Sequence, residues 1–367
     1  MDYQQVFSRD VFCILGLPFD AVSLAEAAER ITASIQRKEK LFLSTPNLNW
    51  LRTAHENAEF RASVLLSDLS IADGMPVVLL ARLLSIPVTQ RVAGSDLIDV
   101  LSQTSRMNIF FFGGDNNNAE VAVERVNAAA LPMRAVGGIN PGYGSIDEMS
   151  EQRLLDAIND SAPDFVIVSL GAVRGQAWIV RNRHRLNATV ISHLGAVVNF
   201  FAGTVQRAPR VLQRMSLEWV WRIYQEPQLA SRYFKDAVFL ANYLLLKAIP
   251  YKFLQLNASR TATGELTMSR TATSTRIVLS GSFGAANIEK TRAIFVDAMH
   301  ARSPIVIDMQ CCEYFDAMFL GALLLLKKCR METGLSLSIV GSNRKVRRLL
   351  YYFNAKYLLD ADDSHPQ

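Results

Sequence analysis

Short apolar runs alternate with helix-like stretches through the first 200 residues of this 367-residue chain. Two of these runs, at 109–112 and 165–170, are almost wholly apolar, and each is followed by glycine. Strands of a parallel sheet that is buried on both faces have this pattern, and their carboxyl ends carry the functional loops. We therefore predict an α/β fold with a Rossmann-like domain on a mainly parallel sheet, and functional side chains in the loops after its strands.

The chain is too long for one hydrophobic core, because single cores usually stop growing near ~250 to 300 residues. A polar stretch near residue 260 is followed by strand-like and helix-like segments in alternation. We predict a first domain over 1–256, a linker over 257–263 and a smaller α/β domain over 264–362. Because the second domain is long enough for a core of its own, we expect the first to fold without it.

Residues 207–256 differ in composition from the rest of the first domain. Arginine, tryptophan and tyrosine lead into long apolar side chains that are interrupted by Lys247, Pro250 and Lys252. Large apolar groups beside basic ones suit a helix in the lipid head-group region, and a core helix is the alternative. No apolar stretch reaches the ~18 to 20 residues of a spanning helix, and the start lacks a secretory signal. We expect a cytoplasmic protein, peripheral at the inner face of the cell membrane.

The formal net charge of +5 is modest, but arginines are concentrated between residues 181 and 222. A basic patch favours partners that carry phosphate, and an ordinary solvated face is the alternative. A nucleic-acid-binding module would interleave aromatic and basic side chains in a recognisable pattern, which we do not find. A nucleotide sugar or a lipid head group therefore suits the patch better than nucleic acid.

Two motifs place polar side chains near predicted strand ends. Thr45 and Asn47 follow the strand at 41–43, where such side chains can bind a sugar or a phosphate, or make an ordinary turn. Asp73 precedes a Gly-Met-Pro turn and a helix, where a lone aspartate is usually a helix cap. Each motif by itself leaves open whether its residues bind a ligand or only shape the local backbone.

Two further motifs follow along the chain, and one of them could bind an anion. Gly113 and Gly114 lie between a buried strand and a helix, where backbone amides can cradle a phosphate. The pattern is weak, because neither a full G-x-G-x-x-G nor a Walker A motif is present. Arg91 opens the segment Arg-Val-Ala-Gly-Ser-Asp.

A series of segments up to residue 236 is specific in its order: ILGLPFDAVSLAEAAERI, T-P-N, A-D-G-M-P, R-V-A-G-S-D, F-F-G-G, A-G-x-x-x-R-A-P and L-E-W-x-x-R-x-x-x-E-P. Residues 11–236 thereby resemble the WecG/TagA/CpsF glycosyltransferase family. The resemblance implies an inverting transferase that moves a sugar from a UDP-sugar to an undecaprenyl-diphosphate-linked acceptor, in exopolysaccharide or cell-envelope polysaccharide biosynthesis. It also implies a site without a metal-binding D-x-D, of which this chain shows no convincing example, and no cofactor is expected.

The resemblance assigns roles to individual residues. Asp73 corresponds to the family's proposed general base, while Thr45 and Asn47 correspond to side chains that line the active site. Arg91 corresponds to the arginine of the family's R-V-x-G motif. The chemistry agrees, because an ionised carboxylate can accept the proton of the acceptor hydroxyl as that hydroxyl attacks the anomeric carbon.

The leaving UDP develops negative charge that arginines and backbone N–H groups must stabilise when no metal is present. The resemblance implies that an arginine-rich C-terminal segment of the family domain supplies such groups and also touches the membrane. Besides Arg91, the candidate substrate-binding residues are Gly113, Gly114, Tyr143, Gly171, Gln176, Arg207, Arg214, Arg222 and Arg232.

One motif departs from the family pattern. Where the family usually has G-x-P-x-Q-E-x-W, this chain reads GAVRGQAW, so that Gly175 and Gln176 replace the glutamine and the glutamate. A rival hypothesis follows from this change, namely a non-catalytic nucleotide-sugar-binding sensor or scaffold that signals through the C-terminal domain. Release of UDP in the presence of UDP-sugars and a lipid acceptor separates the two hypotheses.

The tail segment PIVIDMQCCEYFDAMFLGALLLL is similar to STAS domains. In that family the aspartate of a D-S-x-G motif opens a helix, and the serine that follows is a phosphorylated switch. Here Asp316 is kept, but Ala317 and Phe319 occupy the serine and glycine positions. Because alanine has no hydroxyl to phosphorylate, we expect Asp316 to be a helix N-cap. We expect the domain itself to be a docking or regulatory module for a protein partner.

Overall fold

A computed structural model describes residues 2–206, 208–209, 211–212, 217–257 and 264–359. The strands of the first domain are β3 Leu41–Ser44, β4 Leu69–Ser70, β5 Asn108–Gly113, β6 Arg134–Ile139, β7 Phe165–Ser169 and β8 Val190–His193. They form a six-stranded sheet in the order β4-β3-β8-β7-β5-β6, in which every neighbouring pair is parallel. The predicted Rossmann-like α/β fold is confirmed.

Helices cover both faces of this sheet, because its central strands are apolar on both sides. Along β5, Ile109 and Phe111 belong to one apolar cluster, and Phe110 and Phe112 belong to the other. Successive side chains of a strand point to opposite faces, so each strand supplies both clusters. The helices of this part are α2 Leu24–Arg37, α3 Leu48–Glu56, α4 Ala58–Leu65, α5 Met75–Leu83, α6 Gly94–Thr104, α7 Asn118–Ala128, α8 Gln152–Asp160, α9 Ala172–Asn182 and α10 Val197–Ala202.

A short N-terminal hairpin precedes the sheet, and the sequence patterns do not predict it. Helix α1, Tyr3–Phe7, leads into β1, Val11–Ile14, and β2, Leu17–Asp20, which pair antiparallel. The two turn residues between the strands both have positive φ, as a tight hairpin turn requires. Every residue of the two strands is buried. A hairpin that is buried on both faces must pack against other elements of the protein on each face.

The segment after α10 is helical wherever the structure describes an element in it. Helix α11, Glu218–Gln225, and helix α12, Leu229–Tyr243, are followed by a π turn, Leu244–Ala248, and by α13, Ile249–Asn257. Asp236 anchors this segment on α3, where it accepts hydrogen bonds from Arg52 Nε at 2.7 Å and from Asn49 Nδ2 at 3.3 Å. The segment is therefore fastened to the body of the first domain.

The helical run Leu229–Leu256 is long and apolar enough to cross a membrane, by length and composition alone. This corrects the expectation that no stretch reaches that length. The π turn just before Pro250 accommodates a residue that lacks an N–H group and clashes inside a regular α-helix, so the helix continues. Only 17% of the most apolar window is buried. Exposed apolar side chains along the run are Phe234, Val238, Leu245, Leu246, Ile249, Phe253 and Leu256.

The C-terminal domain is a smaller α/β unit, as predicted. Its strands are β9 Glu265–Arg270, β10 Thr275–Phe283, β11 Ile305–Phe315 and β12 Leu337–Val340, and its helices are α14 Ile288–His300, α15 Ala317–Thr333 and α16 Arg344–Tyr352. The sheet order is β12-β11-β10-β9, with β9 antiparallel to β10 and the other pairs parallel. Asp316 Oδ1 accepts the backbone N–H groups of Met318 and Phe319, each at 2.9 Å. The predicted N-cap of α15 is confirmed.

Helix α15 is buried on two sides. On one side Phe319 packs against Phe283 of the sheet, with ring centroids 5.3 Å apart, and the other side packs on β1. Gly321 permits this second contact, since a Cβ atom there would lie 2.5 Å from the carbonyl carbon of Val11 and 2.9 Å from the backbone nitrogen of Phe12. The two domains share one hydrophobic core, which reverses our expectation that the first folds without the second.

Candidate active site

A cleft of about 1090 Å³ opens at the carboxyl ends of the parallel strands. The loops after all six strands line it, and helices α11 and α12 contribute much of the remaining wall. Because the carboxyl ends of parallel strands meet at one edge of the sheet, loops that are remote in sequence converge there. We therefore expect the predicted site residues to lie in this cleft.

Asp73 lies in this cleft, three residues after β4. Its backbone N–H donates to the carbonyl oxygen of Pro46 at 3.1 Å, which ties the loop after β4 to the loop after β3. Helix α5 has Gly74 as its N-cap residue and no side-chain cap, so the helix-cap interpretation of Asp73 is wrong. Within the part of the chain that the structure describes, the carboxylate of Asp73 accepts no hydrogen bond.

Burial raises the pKa of Asp73 to about 7. The guanidinium groups of Arg91 and Arg222 act in the opposite direction, while the carboxylates of Asp96 and Glu218 add to the increase. A carboxylate whose pKa lies near the working pH suits proton transfer. Such a shifted group inside a cleft is the electrostatic pattern of functional carboxylates.

Thr45 and Asn47 lie on the same wall of the cleft, in the loop after β3. Thr45 is buried, and Asn47 is the N-cap of α3, with its Oδ1 accepting the backbone N–H of Trp50 at 3.2 Å. The structure thus brings both residues together with Asp73, as the resemblance implied. Because the carbonyl oxygen of Asn47 is engaged by the cap, its amide NH₂ is the group available to a ligand.

Arg91 lies in the cleft but is held by two carboxylates. Its Nη2 donates to Asp96 Oδ2 at 2.7 Å, and its Nη1 donates to Glu218 Oε1 at 2.8 Å. Glu218 comes from α11, so this ion pair fastens the C-terminal segment of the domain to the cleft. Neither carboxylate was predicted from the sequence, although both lie in motifs that carry the resemblance, Asp96 in R-V-A-G-S-D and Glu218 in L-E-W.

The other predicted substrate-binding residues divide into three groups. The cleft includes Gly114, Tyr143, Gly171, Arg222 and Arg232. Gly113 and Gln176 are not part of its lining: Gly113 ends β5, and the fully buried Gln176 donates its Nε2–H to Ser44 Oγ at 3.0 Å. Burial of Gln176 against β3 corrects its prediction as a ligand contact. Arg207 and Arg214 lie outside the described residues.

His193 also lines the cleft, although it was not among the residues predicted from the sequence. It ends β8, where the strand pattern by itself offers a signal, since side chains at the carboxyl ends of parallel strands face the site. Burial lowers the pKa of His193 to about 4, so the imidazole is neutral at pH 7. Its Nε2 is buried and has no hydrogen-bond partner in the described part of the chain. A buried polar atom without a partner is costly and calls for an explanation.

The cleft combines a carboxylate that is poised to take a proton with the cationic side chains of Arg222 and Arg232. Arg222 is close enough to lower the pKa of Asp73, and Arg232 Nε is buried without a partner among the described residues. This combination can deprotonate a hydroxyl and stabilise an anionic leaving group. Among the described residues, no group of three or more histidine, cysteine, aspartate or glutamate side chains is placed to hold a metal ion.

Two family models match the chain. The model described as "Glycosyl transferase WecG/TagA/CpsF family" matches residues 12–252. The model described as "Mlab, STAS domain" matches residues 266–360. The first match contains the whole cleft, and the second contains the small C-terminal sheet except for its first residue.

Named relatives match the same region. An N-acetylglucosaminyldiphosphoundecaprenol N-acetyl-beta-D-mannosaminyltransferase of Bacillus spizizenii is 30% identical over 200 residues, which are 53% of this chain and 76% of the relative. A protein of the same name from Staphylococcus aureus strain MW2 is 25% identical over 241 residues, which are 64% of this chain and 92% of the relative. A third, from Staphylococcus aureus strain NCTC 8325, is 26% identical over 215 residues, 57% of this chain and 82% of the relative.

Proposed function

Since this chain belongs to the WecG/TagA/CpsF family of glycosyltransferases, we propose that it moves a sugar from a UDP-sugar to an undecaprenyl-diphosphate-linked acceptor. The product feeds exopolysaccharide or cell-envelope polysaccharide biosynthesis. The relatives are named for the transfer of N-acetyl-β-D-mannosamine to N-acetylglucosaminyldiphosphoundecaprenol, so this donor sugar and this acceptor are the first to test.

The observation that carries the proposal is the carboxylate of Asp73, which lies in the cleft with its pKa raised to about 7. As base, Asp73 accepts the proton of the acceptor hydroxyl while the hydroxyl oxygen forms a bond to the anomeric carbon. The bond from that carbon to the UDP oxygen breaks on the opposite face, and the configuration is inverted. Thr45 and Asn47 on the same wall orient the sugar through hydrogen bonds.

The leaving diphosphate is stabilised by side chains of the protein in a reaction that needs no metal. Arg222 and Arg232 are the described cations that we assign to this role, because both line the cleft and Arg174, which also lines it, already donates to the carbonyl oxygen of Gly144. Arg91 instead positions the C-terminal segment, since its two Nη groups already donate to Asp96 and Glu218. The α9 N-terminus at Gly171 adds backbone N–H groups that favour an anion.

The enzyme works as a peripheral protein at the inner face of the cell membrane. The exposed apolar side chains of 229–256 lie in a helical segment whose first part, α12, also lines the cleft. An apolar face of this kind enters the head-group region, and would bring the cleft to a lipid-linked acceptor. We propose 1–256 as the transferase domain with 207–256 as its membrane and active-site appendage, 257–263 as the linker and 264–362 as the STAS-like domain.

A transfer assay tests the proposal. The purified full-length protein is incubated with a panel of UDP-sugars and the undecaprenyl-diphosphate-linked N-acetylglucosamine, with and without EDTA, and the lipid product is identified by mass spectrometry. We expect UDP release, a product heavier by one sugar, an inverted anomeric configuration and no effect of EDTA. UDP-sugar binding without any product would favour the rival sensor or scaffold, for which the change at Gly175 and Gln176 is the motivating observation.

A further inference from the structure

The short loop at 66–68, between α4 and β4, is held by the C-terminal domain. Lys328 of α15 donates from Nζ to the carbonyl oxygen of Ser67 at 3.0 Å and forms an ion pair with Asp68. Only 1% of the Lys328 side chain is exposed. A buried ammonium of this kind needs its partners, because an unpaired charge in the interior is strongly unfavourable.

A second contact from the same helix reaches the same loop. Glu332, one turn after Lys328, accepts from Arg183 Nη2 at 3.1 Å, and both side chains are largely buried. Arg183 Nη1 donates in turn to the carbonyl oxygen of Leu66 at 3.4 Å. Residues i and i+4 lie on one face of a helix, so one face of α15 holds the loop at two points.

The loop is in turn hydrogen-bonded to β3 and continues into β4, the two strands that lead to Thr45 and Asp73. Asp68 accepts the backbone N–H of Phe42 in β3 at 2.8 Å, and its own N–H donates to the Phe42 carbonyl oxygen at 2.8 Å. Strand β3 leads to Thr45, and β4, which starts at the next residue, leads to Asp73. Burial by itself raises the pKa of Asp68, but the Lys328 ammonium and the Phe42 N–H hold it below its usual value. The carboxylate is therefore ionised at pH 7.

The N-terminal hairpin provides a parallel connection. Asp20 of β2 accepts the backbone N–H of Ser70 in β4 at 2.8 Å, and Arg9 clamps Asp20 with two hydrogen bonds, at 2.9 and 2.7 Å. This hairpin packs on α15. The loop before β4 and β4 itself, which both precede Asp73 in the chain, are thus supported from the C-terminal domain.

We propose that Lys328 is a positioning residue for Asp73, and that the C-terminal domain is an integral brace of the transferase site rather than a module that only docks partners. The inference rests on the proposed role of Asp73 as the base. A displacement of about 1 Å at a reacting group can cost ~10²-fold in rate, so a strand that carries a base benefits from rigid support. Loss of the ammonium would remove both of its contacts with the loop, to the Ser67 carbonyl oxygen and to Asp68, and the loop would be free to shift.

The test compares Lys328→Met with a matched control, Arg330→Met, in the full-length chain. Arg330 is a buried cation two residues later on α15, but its described hydrogen bonds go to the carbonyl oxygens of Ser303 and Ser336 in its own domain. The double variant Lys328→Met/Asp68→Asn serves if the single variant does not fold, because it removes both charges of the ion pair. For each protein, kcat and KM are measured well below the melting temperature. The Asp73 carboxyl is also titrated by carbon NMR, with Asp73→Asn to identify its signal.

We expect Lys328→Met and the double variant to lose about tenfold to a hundredfold in kcat with KM nearly unchanged. We also expect the Asp73 titration to shift to lower pH, because a displaced β4 would let water reach the Asp73 carboxyl. We expect Arg330→Met to keep the kcat and the Asp73 titration of the parent. If the two Lys328 variants match the control in kcat and titration, the positioning role is overturned and the proposed function is untouched. If Asp73→Asn keeps the parent rate, the base assignment itself fails, and the inference with it.

Discussion

The imidazole of His193 fills the space in which a side chain at position 175 would lie. A Cβ atom on Gly175 would be 3.0 Å from His193 Cγ and 3.1 Å from Nε2, and would overlap Cδ2. Gly175 lies in the first part of α9 and His193 ends β8, so the two are neighbours only through the fold. Where the family usually has a glutamine, this chain has a glycine, and the absence of a side chain leaves room for the imidazole.

Gly175→Ala is therefore expected to destabilise the protein by roughly 1–3 kcal/mol, the usual cost of overfilling a packed site. His193→Ala in the same chain should remove most of that cost, because it removes the overlapping ring. Urea unfolding of the parent, both single variants and the double variant measures the coupling between the two positions. Additive effects would show that the ring moves aside freely.

Asp73→Asn should keep the fold and lose ~10² to 10⁴ in transfer rate, since an amide cannot accept a proton. In the parent, kcat/KM should rise with pH and level off above about 7, because the base must be ionised and its pKa is raised to about 7. Steady-state rates between pH 5.5 and 8.5 measure both effects. A variant within about threefold of the parent rate would contradict the assignment of Asp73 as base.

The same substitution should stabilise the folded protein at high pH. Between about pH 4 and 7 the folded state keeps a proton on Asp73 that the unfolded state has released, so stability falls as pH rises through this window. The amide in the variant carries no charge, so the variant avoids this loss of stability. For a shift of about three pKa units, the loss amounts to at most roughly 4 kcal/mol of unfolding free energy at pH 8. Urea midpoints at pH 5 and pH 8 measure the difference. Asp115→Asn, at an exposed position in the cleft, is the control, and a gain that does not grow with pH would refute the argument.

Removal of residues 264–367 should leave an insoluble or unfolded first domain. The deletion uncovers the apolar hairpin at 11–20, which packs on α15, and removes the ammonium that pairs with Asp68. Expression and thermal unfolding of the truncated chain test this, with co-expression of 264–367 as a rescue. A soluble truncated chain with the parent's melting temperature would show that the shared core is dispensable.

The segment 207–256 should bind anionic vesicles more strongly than neutral ones. Each basic residue near an anionic surface contributes ~1 kcal/mol that salt screens, while buried apolar area is not screened, so binding should weaken with salt but persist. Leu245→Ser/Phe253→Ser removes two of the most exposed apolar side chains of the helix, and Val340→Ser in the C-terminal domain is the matched control. Vesicle flotation measures the bound fraction. Negligible binding to both kinds of vesicle at low salt would exclude the membrane role.

Local sequence patterns were sufficient to predict much of the secondary structure of the first domain. Apolar runs identified strands such as β5 and β7, because a strand that is buried on both faces is apolar throughout. The motif residues Thr45, Asn47 and Asp73 meet in one cleft because the ends of parallel strands converge whatever their order in the chain. The N-cap role of Asp316 likewise follows from a few neighbouring residues.

The alternation of strands and helices, the motifs and the type of each domain follow from residues that lie close together in the chain, and the sequence was enough to predict them. Three contacts could be seen only in the folded protein: Gln176 with Ser44, Arg91 with Glu218, and Lys328 with Asp68. The last pair is 260 positions apart. Such contacts arise because buried polar groups must find partners wherever packing places them, and no local periodicity records which partners those are.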